Sequence, residues 1–145
     1  MRLRQDTPVA RASFDDPNLV SCAGLEPVMR LAESCDLPGI VAQKVHLDTS
    51  IGSNPAGKIS AIVAGMVAGA DSIDDLDLLR HGAMPGLFGG VRAPSTLGSF
   101  LRAFTWGNVL QLGKVNRLLL AELARRAPLL PGKDTLAFID IDSQQ

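Results

Sequence analysis

Between Lys58 and Asp71 the chain runs for twelve residues, Ile59 to Ala70, without a charged side chain. A stretch this short falls well below the roughly 20 residues that span a bilayer, so it reads as the buried helix of a packed body. On helical spacing Ile59, Ile62, Val63, Met66 and Val67 form one apolar face, while Ala61, Ala64, Gly65 and Ala68 leave the other side small enough for neighbouring helices to approach closely. This segment is therefore expected at the centre of the fold.

The flanking sequence supports a mainly α protein. With 145 residues the chain suffices for one ordinary domain, or a small domain and a piece of another. Five Phe, one Trp and no Tyr, beside abundant Ala, Leu and Val, suit helix packing better than a β-sandwich. Val28, Met29, Ala32 and Cys35, after Leu25, predict a helix that stops before Pro38, and Ile40, Val41 and Val45 a second, short one. Gly52, Ser53, Asn54 and Pro55 mark the loop before the central helix. Beyond it, Asp71 or Ser72 is placed to cap a helix whose inward side is Ile73, Leu76 and Leu79. A Gly- and Pro-rich stretch from Gly82 to Pro94 follows, and Ser95 opens a helix that packs through Leu97, Phe100, Leu101 and Phe104. A long helix from about Asn108 to Arg126 then has Val109, Leu112, Val115, Leu119 and Leu123 inside, and Pro128 and Pro131 end it.

The overall charge of −1 gives no argument for nucleic acid, but its distribution does. Residues 71–80 set Asp71, Asp74, Asp75 and Asp77 against Arg80, a net −3; residues 91–126 set Arg92, Arg102, Lys114, Arg117, Arg125 and Arg126 against Glu122, a net +5. A helix, loop and helix from Ser72 to Phe104 followed by a positive helix is what a major-groove reader requires, since one helix enters the groove while cations neutralise phosphates. The candidate DNA contacts are Arg92, Ser95, Thr96, Ser99 and Arg102, with Lys114 and Arg117 on the long helix. The bland alternative is a solvated cationic face.

Thr135 to Asp142 reads as a β-strand, and alternation puts Asp140 and Asp142 on one side of it. Two such carboxylates either hold a divalent cation for phosphoryl transfer or merely end an exposed strand. His46 and His81 lack companions for a zinc site and read as helix-end or partly buried residues. Cys22 and Cys35 lie outside any CxxC, no secretory leader precedes them, and a reduced cytoplasmic protein is expected. The cluster from Gly86 to Gly90 lacks the Lys of a phosphate-binding loop.

Three segments in order, GADSIDDLDLLRHG from Gly69, APSTLGSFLRAFTWGNV from Ala93 and LLPGKDTLAFIDID from Leu129, resemble the insertion-sequence transposases with a DDE domain of group 1. The likeness covers most of the chain from about residue 12 onward. Residues 1–21, with no sustained helical period, read as an extended arm; the likeness implies a helical DNA-binding domain with a helix-turn-helix-like unit over 22–131, and over 132–145 the first strand of an incomplete RNase H-like α/β domain. In that family Asp, Asp and Glu hold two metal ions for strand cleavage and joining. By resemblance Asp142 is the first choice for the leading catalytic metal ligand and Asp140 the second, for Mg²⁺ or Mn²⁺ in the full-length parent. The implied partner is duplex DNA carrying terminal inverted repeats; a homo-oligomer of the full-length protein is admitted, and no membrane is involved.

The likeness has a departure, because Ser143 and Gln144 stand where the family continues the strand with Asp, a small residue and Thr. The second Asp and the Glu are expected beyond Gln145, so the 145-residue chain alone is expected to hold no metal and to lack nuclease and strand-transfer activity. Two other readings compete. One is a stand-alone helical DNA-binding or interaction module derived from a transposase. The other is the start of a haloacid-dehalogenase-like phosphatase, with Asp140 as nucleophile and Asp142 as general acid; against it, that motif opens its domain and has Thr or Val where Gln144 stands.

Overall fold

A computed structural model describes residues 16–48 and 50–127 of the chain. The strand expected over Thr135–Asp142, with Asp140 and Asp142, and most of the expected arm lie outside the described residues. The described part is mainly helical: α1 (Leu25–Ser34), α2 (Leu37–Lys44), α3 (Pro55–Val67), α4 (Met84–Leu87), α5 (Pro94–Arg102) and α6 (Trp106–Arg126), with 3-10 turns at Ser50–Gly52 and Asp74–Arg80. Among the described residues no helix is long and apolar enough to cross a membrane.

Each helix begins where local chemistry allows it. Asn54 takes a left-handed conformation (φ 49°, ψ 60°), and its Oδ1 accepts from the Gly57 N–H at 3.0 Å. Pro55 follows in the first turn of α3, where a missing N–H costs nothing. Ala93 is extended, as a residue before proline prefers, and Pro94 starts α5, one residue before the expected Ser95. At the far end of α3, Gly69 has φ +97°, and the Ala70 N–H reaches back to the Gly65 carbonyl at 2.9 Å while the Gly69 N–H bonds Met66. Only glycine takes that conformation without strain, and the two bonds close the helix.

α3 is central, touching α1, α2, α5 and the Asp74–Arg80 turn, but its inward side differs from the expected one. The small residues Ala61, Ala64 and Gly65 are buried together with Ile59 and Lys58; Ile62 and Val63 are half-buried; Met66 is 66% exposed and Val67 is exposed as well. The reason lies in the partners. A Cβ on Gly65 would stand 2.1 Å from Leu76 Cδ2, so the bulk of Leu76 occupies the hollow that the glycine leaves. Apolar side chains near the end of α3 overhang these partners and stay in solvent.

Three apolar clusters form around it. Leu37, Ile40, Val41, Val45, Ile59, Phe100 and Val115 join α2, α3, α5 and α6; Leu25, Met29, Ala64, Leu79 and Met84 join α1, α3 and α4; Ala61, Leu76 and Leu97 fill between. Cys35 is buried, as expected of a core position. Two further packing positions are corrected: Val28 on α1 and Val109 on α6 are exposed, because Leu25 with Met29 and Asn108 with Val115 mark the buried side of those helices. The helix expected after Ser72 is a 3-10 turn, with Leu76 and Leu79 buried as expected. α4 breaks up the expected Gly82–Pro94 loop. Residues before α1 are tied to this body, since the Ala83 N–H donates to the Leu19 carbonyl at 3.0 Å and Val20 packs against the cluster that contains Leu25, Met29 and Met84.

Candidate nucleic-acid interface

α5 splits into two sides by its own spacing. Leu97 and Phe100 are fully buried, with the Phe100 ring edge-on to Phe104 at 5.0 Å between centroids and 82° between planes. The opposite side carries Ser95, Ser99 and Arg102 at i, i+4 and i+7, with Thr96 beside them; Ser99 is half-buried and the other three are exposed. Arg102 Nη2 donates to Ser99 Oγ at 3.3 Å.

Ser95, Thr96 and Ser99 are brought together on one wall of a depression of about 420 Å³, whose other wall is Ser50, Ile51 and Ser53 and whose lining includes Lys58. Arg92 is placed elsewhere. It borders a second depression of about 400 Å³ with Glu33, Asn54, Phe88 and Gly90. Lys114 and Arg117 are exposed on α6, one turn apart. Asp140 and Asp142 lie outside the described residues, so their geometry does not enter here.

Of the ten lysines and arginines among the described residues, three are ion-paired and seven, Lys44, Lys58 and Arg126 among them, are not. Arg30 pairs with Glu26, Arg80 with Asp77 at 2.6 Å, and Arg125 with Glu122, each on its own helix or turn. Arg92, Arg102, Lys114 and Arg117 have no carboxylate within ion-pairing distance among the described residues. Exposed guanidinium and ammonium groups left in this way are available to phosphate oxygens.

The acidic stretch is self-contained. Asp75 Oδ2 accepts from the Ser72 hydroxyl at 2.6 Å and the Ser72 N–H at 3.0 Å, while the Asp75 N–H donates back to Ser72 Oγ at 3.3 Å. The Ser72 hydroxyl first, and Asp71 after it, hold the Asp75 carboxyl below its ordinary value. Asp77 also meets His81 Nε2 at 3.1 Å. His46 is exposed at the end of α2, its Nε2 3.1 Å from the Gln43 carbonyl, and among the described residues no group of three or more His, Cys, Asp or Glu is placed to hold a metal ion.

Sequence reasoning missed Lys58, which it used only as the boundary of the apolar run. Its side chain is buried, and Nζ donates to the Ile51 and Ser53 carbonyls, each at 2.6 Å. The signal was the spacing: Lys58, Ala61 and Gly65 stand at i, i+3 and i+7, so a helix packing on its small side carries Lys58 inward. It also missed Asn108 and Gln111. The Asn108 amide donates to the His46 carbonyl at 2.7 Å and to Gln111 Oε1 at 3.1 Å, and Gln111 Oε1 accepts the His46 N–H at 3.1 Å. Nothing in the sequence marks that clip, because its partners are more than 60 residues apart.

No protein-family model, curated protein or solved structure matches the chain.

Proposed function

We propose that this chain is the amino-terminal, DNA-binding part of a DDE-type insertion-sequence transposase, acting in the cytoplasm on the terminal inverted repeats of its element. The observation that carries the reading is that Arg92, Arg102, Lys114 and Arg117 are exposed and free of carboxylate partners among the described residues, whereas Arg30, Arg80 and Arg125 are paired. The resemblance of the three segments named above supplies the family. On this reading α5 presents Ser95, Thr96, Ser99 and Arg102 to the groove, with the Asp74–Arg80 3-10 turn in the place of the first helix of a helix-turn-helix-like unit, and α6 presents Lys114 and Arg117 to phosphates. Residues 132–145 then begin an RNase H-like domain in which Asp142 and Asp140 bind Mg²⁺ or Mn²⁺ in the full-length parent. The isolated chain cleaves no DNA.

Fluorescence anisotropy with a labelled inverted-repeat duplex in EDTA, over a series of salt concentrations, tests this. Binding is expected to weaken log-linearly with salt, and Arg102→Ala, Lys114→Ala and Arg117→Ala are each expected to lower the slope by about 0.9. Absence of binding at low salt, or slopes unmoved by all three variants, refutes the DNA reading.

A stand-alone interaction module is the second reading, favoured by the apolar side chains that α6 leaves in solvent: Trp106, 75% exposed, with Leu110 and Leu120. Sedimentation that stays monomeric across concentration, together with duplex binding, decides against it.

A further inference from the structure

We propose that the depression between the Ser50–Gly52 turn and the start of α5 is a binding site for one phosphate-class oxyanion, with the Lys58 ammonium at its base and the Ser95, Thr96 and Ser99 hydroxyls on its wall.

Lys58 is only 5% exposed, and it reaches the depression from the buried side of α3. An ammonium has three N–H donors. Two are taken by the Ile51 and Ser53 carbonyls, and the Phe100 ring lies 5.1 Å from Nζ. These neutral groups replace part of the water that burial removes, but they leave the charge itself uncompensated. No carboxylate pairs with Lys58 among the described residues, and none lines the depression. Buried charges are ordinarily paired, so an anion entering from solvent supplies the missing partner.

The walls fit the same chemistry. Ser50, Ser53, Ser95, Thr96 and Ser99 bring hydroxyls to the lining, and those of Ser95 and Thr96 have no hydrogen-bond partner among the described residues. α5 starts without a capping side chain, and its first-turn residues Ser95 and Thr96 lie on this wall. Hydroxyls around one cation recognise oxygen atoms that carry negative charge, and the absence of a carboxylate lining excludes a metal cation. The depression is open to solvent, so a phosphate that is part of a larger molecule can reach it. As a subsite for DNA the site rests on the reading proposed above; as an oxyanion site it does not.

Titration of the ¹⁵N-labelled 145-residue chain with inorganic phosphate, at ionic strength held constant with chloride, tests it. Saturable amide shifts at Ser53, Lys58, Ser95 and Thr96 are expected, described by a single Kd. The double variant Ser95→Ala with Thr96→Val, at exposed positions that the fold tolerates, is expected to weaken that Kd at least tenfold. Lys58→Met is expected to abolish saturation. Since Lys58 also anchors two carbonyls, a K58M chain that fails to fold transfers the decision to the double variant. Shifts scattered over the surface lysines and arginines without saturation, or a Kd unchanged in the double variant, overturn the site. Competing duplex DNA identifies the source of the phosphate. A duplex that displaces phosphate from the wild-type chain, and binds the double variant less tightly, assigns the site to the DNA backbone. Saturable phosphate binding in a chain that binds no duplex upholds an oxyanion site for a free phosphate and removes the DNA reading. A duplex bound equally by wild type and double variant, with no phosphate saturation, removes the site and leaves the DNA reading standing.

Discussion

Asp75 is where a single proton changes the folded chain most directly. Its carboxylate closes a reciprocal set of hydrogen bonds with Ser72 at the entry to the Asp74–Arg80 turn, and those bonds exist in full only when the group is ionised. The folded value therefore lies below the ordinary carboxylate value, with the Ser72 hydroxyl as the main cause and Asp71 as the next. A lowered folded value contributes stability that is present above the unfolded value, near pH 4, and is lost as pH falls through the folded one. Asp75→Asn is thus expected to be slightly less stable than wild type at pH 7, with the gap closing below about pH 4 in urea titrations. A gap that stays constant from pH 7 to pH 3 would mean that the charge has no part in it. Asp75 was legible beforehand only as part of the acidic stretch 71–80; its exchange with Ser72 was not, because a 3-10 turn and an α-helix share the same short apolar spacing at Ile73, Leu76 and Leu79.

At the scale of elements, the sequence located helices well and their buried sides less well. Spacing alone gave α1, α3, α5 and α6 to within a few residues, since the Asn54-Pro55 and Ala93-Pro94 starts and the Gly69 end carry backbone constraints of their own. Face assignment by apolarity held on α3 for Ile59, Ile62 and Val63 and failed for Met66 and Val67, because packing against Leu76 and Leu97 buries the small side as well. Stability measurements distinguish the two assignments. Met66→Ala is expected to change stability by no more than about 0.5 kcal/mol, as for other exposed positions, whereas Leu97→Ala, fully buried beside Ala61, is expected to cost about 2–5 kcal/mol. Equal losses for the two would restore the apolar-face assignment. On α6 the corresponding test is Asn108. Its amide binds the His46 carbonyl and Gln111, and its Oδ1 accepts the Thr105 N–H at 2.9 Å. Asn108→Ala orphans half-buried polar groups on two elements at once, and a loss of about 1–3 kcal/mol is expected in chemical denaturation. A neutral result would show that water replaces the clip.

For the molecule as a whole, the deciding asymmetry is that α6 outruns the body that supports it. At about 1.5 Å per residue its 21 residues extend for roughly 31 Å, yet only Asn108 and Val115 are buried and Leu119 is the last side chain packed on a core cluster. The positive charge of residues 91–126 is concentrated on this helix and on α5, while Asp75 and Asp77 are engaged by Ser72 and Arg80 on the turn that packs against α5 through Leu76 and Leu97. Opening the distal part of α6 exposes little additional apolar surface, so its free energy of opening is expected to lie far below that of α3, whose inward side is enclosed by four neighbouring elements. Hydrogen exchange of the free chain is accordingly expected to be fast for amides beyond Leu119 and slow for Ile59 to Gly65. Added inverted-repeat duplex is expected to slow exchange near Arg102, Lys114 and Arg117, where phosphate contacts would tether the helix. If instead distal α6 is protected without DNA, and more so at higher protein concentration, Trp106, Leu110 and Leu120 are covered by a second copy, and α6 is an association surface rather than a DNA-facing one.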